Sequence, residues 1–181
     1  AKLAAGVAFD PESVKRNFYA TSSCGVCGKA SLDAVQARGC AVLAPGLTVD
    51  AGLVPQLPDR LLAAQGVFER TGGIHAAGIF TRTGERLVVM EDVGRHNAVD
   101  KVIGHQLMQR ALPGSGDVLV VSGRASFEVV QKAVAAGLPI LVAVGAPSSL
   151  AVDLARQFGQ TLIGFARNGG FNVYTGPERV A

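Results

Sequence analysis

Residues 117–144 read DVLVVSGRASFEVVQKAVAAGLPILVAV, and this stretch decides the fold class. Asp117 to Val121 read as a short strand with an unbroken apolar run, and Pro139 to Val144 as a second buried strand. A strand with one wet face alternates polar and apolar residues. A strand apolar at successive positions is covered on both faces, as in parallel sheets. Residues 126–136 between the two runs have helical spacing and end at Gly137. Strand, helix and strand in this order predict a crossover unit of an α/β protein. The junctions Val121-Ser122 and Val144-Gly145 then fall at one sheet edge, where such folds bind ligands.

The same alternation continues on either side. Residues 148–158 are expected to be a helix with Ser148 as its cap, and residues 160–167 and 172–174 to be final strands. Upstream, residues 74–81 and 85–90 read as two strands joined at Thr83-Gly84. Residues 95–111 carry Val99, Val102, Ile103 and Leu107 as a helical stripe. Residues 58–70 place Leu61, Leu62, Gln65 and Phe68 at helical spacing, with Pro58 tolerated in the first turn. The Pro- and Gly-rich residues 45–58 read as a loop. Residues 17–22 read as a strand and residues 28–38 as a helix.

The chain has 181 residues, of which 49% are hydrophobic and 17% charged. That composition supports a buried core and disfavours disorder. Seventeen Lys and Arg against 14 Asp and Glu leave a net charge of +3. This is not the basic stripe of a nucleic-acid binder, so no nucleic-acid partner is expected. No apolar run reaches about 18 residues, so no membrane span is expected. Three cysteines do not make a secreted disulfide framework. A soluble protein of a reducing compartment, the cytoplasm, is expected.

Cys24-Gly25-Val26-Cys27-Gly28-Lys29 lies between the first expected strand and helix. Two thiols at this spacing can bind metal, cycle through a disulfide or carry sulfur. A structural zinc site needs a second close ligand pair. Cys40, His75, His96 and His105 do not supply one, although a three-ligand catalytic zinc stays open. A helix start and Lys29 both favour a thiolate. The glycines give an open loop, which suits a sulfur that is received and passed on. Two inert buried cysteines at a helix start remain the plain alternative, and Cys40 reads as a core residue.

Four motifs in order carry a family resemblance: Thr21-Ser22-Ser23-Cys24-Gly25-Val26-Cys27-Gly28, Glu91-Asp92-Val93-Gly94-Arg95-His96-Asn97-Ala98-Val99-Asp100-Lys101, Ser122-Gly123-Arg124, and Asn172-Val173-Tyr174-Thr175-Gly176-Pro177-Glu178-Arg179. Together they resemble the formate dehydrogenase accessory sulfurtransferases, the FdhD family, from about Tyr19 onward. The resemblance implies a cytidine-deaminase-like mixed sheet with helices on both faces. It also implies that residues 1–181 are the main domain, with the N-terminal small-domain sequence largely absent. Zinc deaminases themselves use H-x-E and P-C-x-x-C. Here His75-Ala76-Ala77 lacks the glutamate and Ser23 precedes Cys24, so deaminase activity is not implied.

By the same resemblance, Cys24 carries a persulfide taken from a cysteine desulfurase, and Cys27 assists. The sulfur goes to the molybdenum cofactor, bis-molybdopterin guanine dinucleotide, for use by formate dehydrogenase. The cofactor-binding segment maps onto Phe165, Ala166, Arg167, Asn168, Gly169 and Gly170. Arg167 suits a phosphate, Phe165 suits a ring, and the glycines allow close backbone approach. No permanent metal is expected, and a homodimer is. A cofactor carrier without obligatory sulfur transfer is the second reading, and a zinc enzyme the third. In the central motif, Arg95 is expected to pair with a carboxylate and His96 to face a polar pocket, while Asp92 either caps a helix start or orients ligand or sulfur in that pocket. His75 is expected to be a hydrogen-bonded core residue. The turns at residues 122–126 and 145–149 are candidate anion sites or ordinary helix caps.

Overall fold

The computed structural model describes residues 40–181. The strand and helix expected at residues 17–22 and 28–38, and with them Cys24 and Cys27, lie outside the described residues. A short 3-10 turn, Val54–Gln56, leads into two short helices, α1 (Leu57–Leu62) and α2 (Gly66–Thr71). There follow β1 (His75–Thr81), β2 (Arg86–Asp92), α3 (Arg95–Met108), β3 (Asp117–Val121), α4 (Phe127–Ala135) and β4 (Ile140–Ala143). The chain finishes with α5 (Ser149–Gln157), β5 (Thr161–Arg167), β6 (Gly170–Thr175) and a 3-10 turn, Pro177–Arg179.

The strands form one mixed sheet in the order β2-β1-β3-β4-β5-β6. β3, β4 and β5 run parallel, whereas β1 pairs antiparallel with both β2 and β3, and β6 antiparallel with β5. The parallel centre follows from its sequence. Val118 to Val121 and Ile140 to Ala143 are all buried, so each alternate side chain meets a different layer.

One layer is α3, α4 and α5. Val99, Val102, Val130, Ala133, Leu154 and Ala155 pack there on Ile79, Leu119, Leu141 and Leu162. The other layer is thinner. Val49, Leu53, Val54, Leu57 and Leu61 cover Phe80, Val118, Val120, Ile140, Val142 and Ile163. Each fully buried large aliphatic contributes about 1.5–3 kcal/mol relative to exposure. Helices thus lie on both faces of a mixed sheet, as expected from the sequence. Among the described residues no helix is long and apolar enough to cross a membrane.

The single helix expected over residues 58–70 is two helices. Gln65 leaves helical geometry at φ −94° and ψ 73°, beside Gly66, the poorest helix former after proline. The second helix begins under an external cap. The Glu91 carboxylate on β2 accepts the amides of Val67 (2.9 Å) and Phe68 (2.8 Å). Gly72, at φ 62°, closes α2 in the left-handed conformation, which glycine adopts without steric cost. The expected helix 95–111 also stops early, at Met108, because Arg110 takes φ 57°.

Candidate functional site

A cavity of about 520 Å³ opens on the thinner side of the sheet, at the carboxyl ends of β3 and β4. This is within the range of small-molecule sites. Leu61, Leu62, Phe68, Ile74 and Val144 give it apolar walls. Its polar groups are Asp59 and Gln65 on one side, His75 and Ser122 from the strand ends, and Arg167 and Asn168 from the β5–β6 hairpin.

Backbone pairing beyond the regular strands fixes this edge. Gly145 donates to the Gly123 carbonyl at 3.0 Å, and Phe165 donates to the Gly145 carbonyl at 3.2 Å. Two candidate anion turns and the candidate cofactor segment are therefore laced side by side. The lacing needs small residues. A Cβ on Gly164 would sit 2.9 Å from Pro147 Cδ and 3.0 Å from Tyr174 Cε2.

The hairpin has unusual backbone geometry. Phe165 and Asn168 both take φ 53°, and the β5–β6 register slips between Gly164 and Arg167. Asparagine tolerates the left-handed region, whereas phenylalanine rarely enters it. Such strain concentrates at functional segments. Phe165 is 37% exposed, and the Arg167 guanidinium carbon lies 5.9 Å from its ring centroid. Ala166 turns inward and is fully buried in the core. Of the six residues expected at the cofactor, Arg167 and Asn168 line the cavity. Phe165, Gly169 and Gly170 are exposed at the hairpin beside it.

The turn at residues 122–126 is tied in part to the scaffold, since Ser122 Oγ accepts the Ala76 amide at 2.9 Å. Ser148 behaves as an ordinary cap and accepts the Ala151 amide at 3.2 Å. His75 corrects the expectation of a hydrogen-bonded core residue. It is half-buried on the cavity wall beside Gly123, with no hydrogen bond to its ring among the described residues. The first residue of an edge-terminated strand emerges where the sheet opens.

The central motif lies on the opposite face of that edge. Asp92 accepts the Gly94 amide (2.9 Å) and the Asn97 amide group (3.0 Å), and pairs with Lys101 at 2.6 Å. The Lys101 ammonium beside it, with these two donors, lowers the Asp92 carboxyl to about 2. Asp92 therefore braces the turn before α3 but does not cap it, since the N-cap is Gly94 and no side chain caps the helix there. Arg95 does not pair with a carboxylate among the described residues, and its buried Nε has no partner. The guanidinium stem runs past Gly123 instead. His96 Nε2 shares a hydrogen bond of 2.9 Å with Ser126 Oγ and lies 3.7 Å from Glu128 Oε2. Burial lowers the His96 pKa, and the Glu128 carboxylate opposes this only in part. The imidazole is therefore kept neutral near neutral pH. Among the described residues no group of three His, Cys, Asp or Glu could hold a metal.

The FdhD/NarQ family model matches residues 3–181. The chain belongs to the FdhD/NarQ family. It is 58% identical over 182 residues to the "Sulfur carrier protein FdhD" of Streptomyces coelicolor, covering 99% of this chain and 64% of that protein. It is 47% identical over 165 residues to the protein of that name from Sulfolobus acidocaldarius, covering 91% and 63%. The crystal structure of a formate dehydrogenase accessory protein from Desulfotalea psychrophila superposes with a TM-score of 0.70 at 33% identity. That match covers 77% of this chain and 60% of the other. The chain thus spans somewhat under two thirds of the length of these FdhD relatives.

In this FdhD/NarQ chain the sequence did not mark the wall opposite the hairpin. Asp59, Gln65 and Phe68 line the cavity from α1, α2 and the kink between them, and read at first as an amphipathic helix. The available signal was Gln65, a polar residue at a position in the apolar stripe.

Proposed function

We propose that this chain is the main domain of a sulfur carrier in formate dehydrogenase maturation, working in the cytoplasm as a homodimer. The Cys24 thiolate attacks the terminal sulfur of a persulfide on a cysteine desulfurase. A new S–S bond forms at Cys24 and the old one breaks. The donor leaves as a thiolate, so the exchange is redox-neutral overall. Cys27 assists by holding or resolving the persulfide. The acceptor is the bis-molybdopterin guanine dinucleotide cofactor, bound as cargo at the hairpin by Phe165, Arg167, Asn168, Gly169 and Gly170, with the buried Ala166 anchoring that hairpin in the core.

The observation that carries this reading is the cavity at that hairpin. Two left-handed residues, Phe165 and Asn168, shape the loop, and Arg167 and Asn168 reach the cavity mouth. Apolar walls suit a ring system, and a guanidinium suits the pyrophosphate. Family membership and the naming of the relatives as sulfur carriers support the cysteine chemistry. Intact-mass and peptide spectra after incubation with a cysteine desulfurase and cysteine test it, with one added sulfur on Cys24 expected. If formate dehydrogenase maturation survives replacement of both Cys24 and Cys27 by alanine, the chain is a cofactor carrier without obligatory transfer.

A further inference from the structure

We propose that α2 is a lid that swings outward to let cargo into the cavity, and that Glu91 is its latch. The inference rests on the reading above, in which this cavity takes cargo. It adds how the site opens.

Three observations carry it. First, α2 is joined to the sheet at one place. Among the described residues its hydrogen bonds to the sheet come from the Val67 and Phe68 amides, and both end on the Glu91 carboxylate, at 2.9 and 2.8 Å. The side chains of Arg70 and Thr71 turn back onto their own helix, to the carbonyls of Gly66 and Val67. No residue of α2 is buried, so no core side chain pins it. Glu91 is itself fixed, because Lys101 Nζ donates to its backbone carbonyl at 2.9 Å. The latch therefore stays in place when the helix leaves it.

Second, both ends of α2 can bend. Gln65 lies outside helical geometry, and Gly72 takes φ 62°. Nothing lies within 4 Å of the place a side chain would occupy on Gly66 or Gly72. Hinges are a few element-terminal residues that absorb such changes in backbone angle. Third, there is room for the motion. A groove of about 580 Å³, lined by Ala63, Ala64, Glu69 and Arg86, shares Leu62, Gln65 and Phe68 with the cavity. Those three residues form the partition between the two spaces.

Moving the helix from the cavity into the groove costs two hydrogen bonds and part of the cover over Phe68. Water can replace both bonds, since each is only part-buried. Openings of this size are the local transitions by which lids admit ligands. Return of the helix restores the Phe68 wall against the cargo.

The test uses the full chain with GDP as the probe, and combines stopped-flow binding with amide hydrogen exchange. Glu91→Ala is expected to raise the release rate roughly fivefold or more, and association by a smaller factor. Glu91→Gln, which keeps an acceptor, should fall between that variant and the parent. Arg86→Trp fills the groove without lining the cavity. It should slow association and release together, each roughly fivefold, with a dissociation constant near that of the parent. If Glu91→Ala speeds release while association slows or stays unchanged, the helix is a passive wall and the proposal is overturned. Unchanged rates in Arg86→Trp overturn it as well.

Exchange decides without any ligand. The Glu69 and Gly72 amides bond inside the segment, to the carbonyls of Gln65 and Phe68. In Glu91→Ala they should exchange faster by one factor shared with Val67 and Phe68, well beyond any change in β3. Faster exchange confined to Val67 and Phe68 overturns the lid. Absence of GDP binding overturns the cargo reading, and the lid then stands or falls on exchange alone.

Discussion

The carboxylate of Glu91 on β2 holds the backbone amide of Phe68 on α2 at 2.8 Å, 23 residues back along the chain. It also holds Val67 at 2.9 Å. One side chain therefore supplies the first turn of a helix whose own sequence has no cap. Replacing Glu91 by alanine leaves two amides without their acceptor. The expected loss is about 1–2 kcal/mol, read from the midpoint of urea unfolding. Phe68 lines the cavity, so nucleotide binding should weaken in the same variant.

Acid should act through Asp92. Its carboxyl is lowered from 3.8 to about 2, first by Lys101 and then by Gly94 and Asn97. A depressed carboxyl stabilises the fold above its unfolded value and loses that contribution as pH falls. The loss is expected between about pH 4 and pH 2. In Asp92→Asn, thermal unfolding followed across that window should be flatter than in the parent.

The left-handed backbone of Phe165 gives a contrast between two small substitutions. Phe165→Val puts a β-branched residue at φ 53°, and a loss of about 1–2 kcal/mol is expected. Phe165→Gly relieves the strain but loosens the unfolded chain, so stability should stay within about 1 kcal/mol of the parent. Denaturant midpoints distinguish the two.

Arg179 is 4% exposed and donates to the Gly159 carbonyl at 2.8 Å and the Ala44 carbonyl at 2.9 Å. Arg179→Met removes both charge-assisted bonds and strands two carbonyls. A loss of about 3 kcal/mol or more is expected in chemical unfolding. Arg179→Lys should recover part of it, because a single ammonium cannot span the fork.

Changing Cys24 to serine should abolish the added sulfur after desulfurase treatment, whereas changing Cys27 should only reduce it. Peptide mass spectra give both answers. A persulfide found on Cys27 in the Cys24 variant would instead make the two thiols interchangeable.

What the sequence disclosed depended on how far each signal reaches along the chain. β3 and β4 were legible because Val118 to Val121 and Ile140 to Ala143 are covered on both faces, so their apolar runs say so directly. Ser148 was legible because a cap acts over three residues. The break in residues 57–71 was not, since it is fixed by Glu91 from another strand. Arg167 and Asn168 were found through motif resemblance. Asp59 and Gln65 were hidden because their place on the cavity wall exists only once α1 meets the sheet edge. The expected partner of Arg95 failed for a related reason. Spacing brings a carboxylate near in sequence, but Asp92 is already occupied by Lys101, Gly94 and Asn97.

The cavity draws its lining from α1, α2, the start of β1, the ends of β3 and β4, and the β5–β6 hairpin, segments spread over more than a hundred positions. No fragment of the domain can own it. Cargo should therefore dock only on molecules that have completed their sheet, and a bound nucleotide should slow hydrogen exchange throughout the domain rather than at one loop. Under the proposed reading, loading would double as a check on folding, because a misassembled copy lacks the cavity.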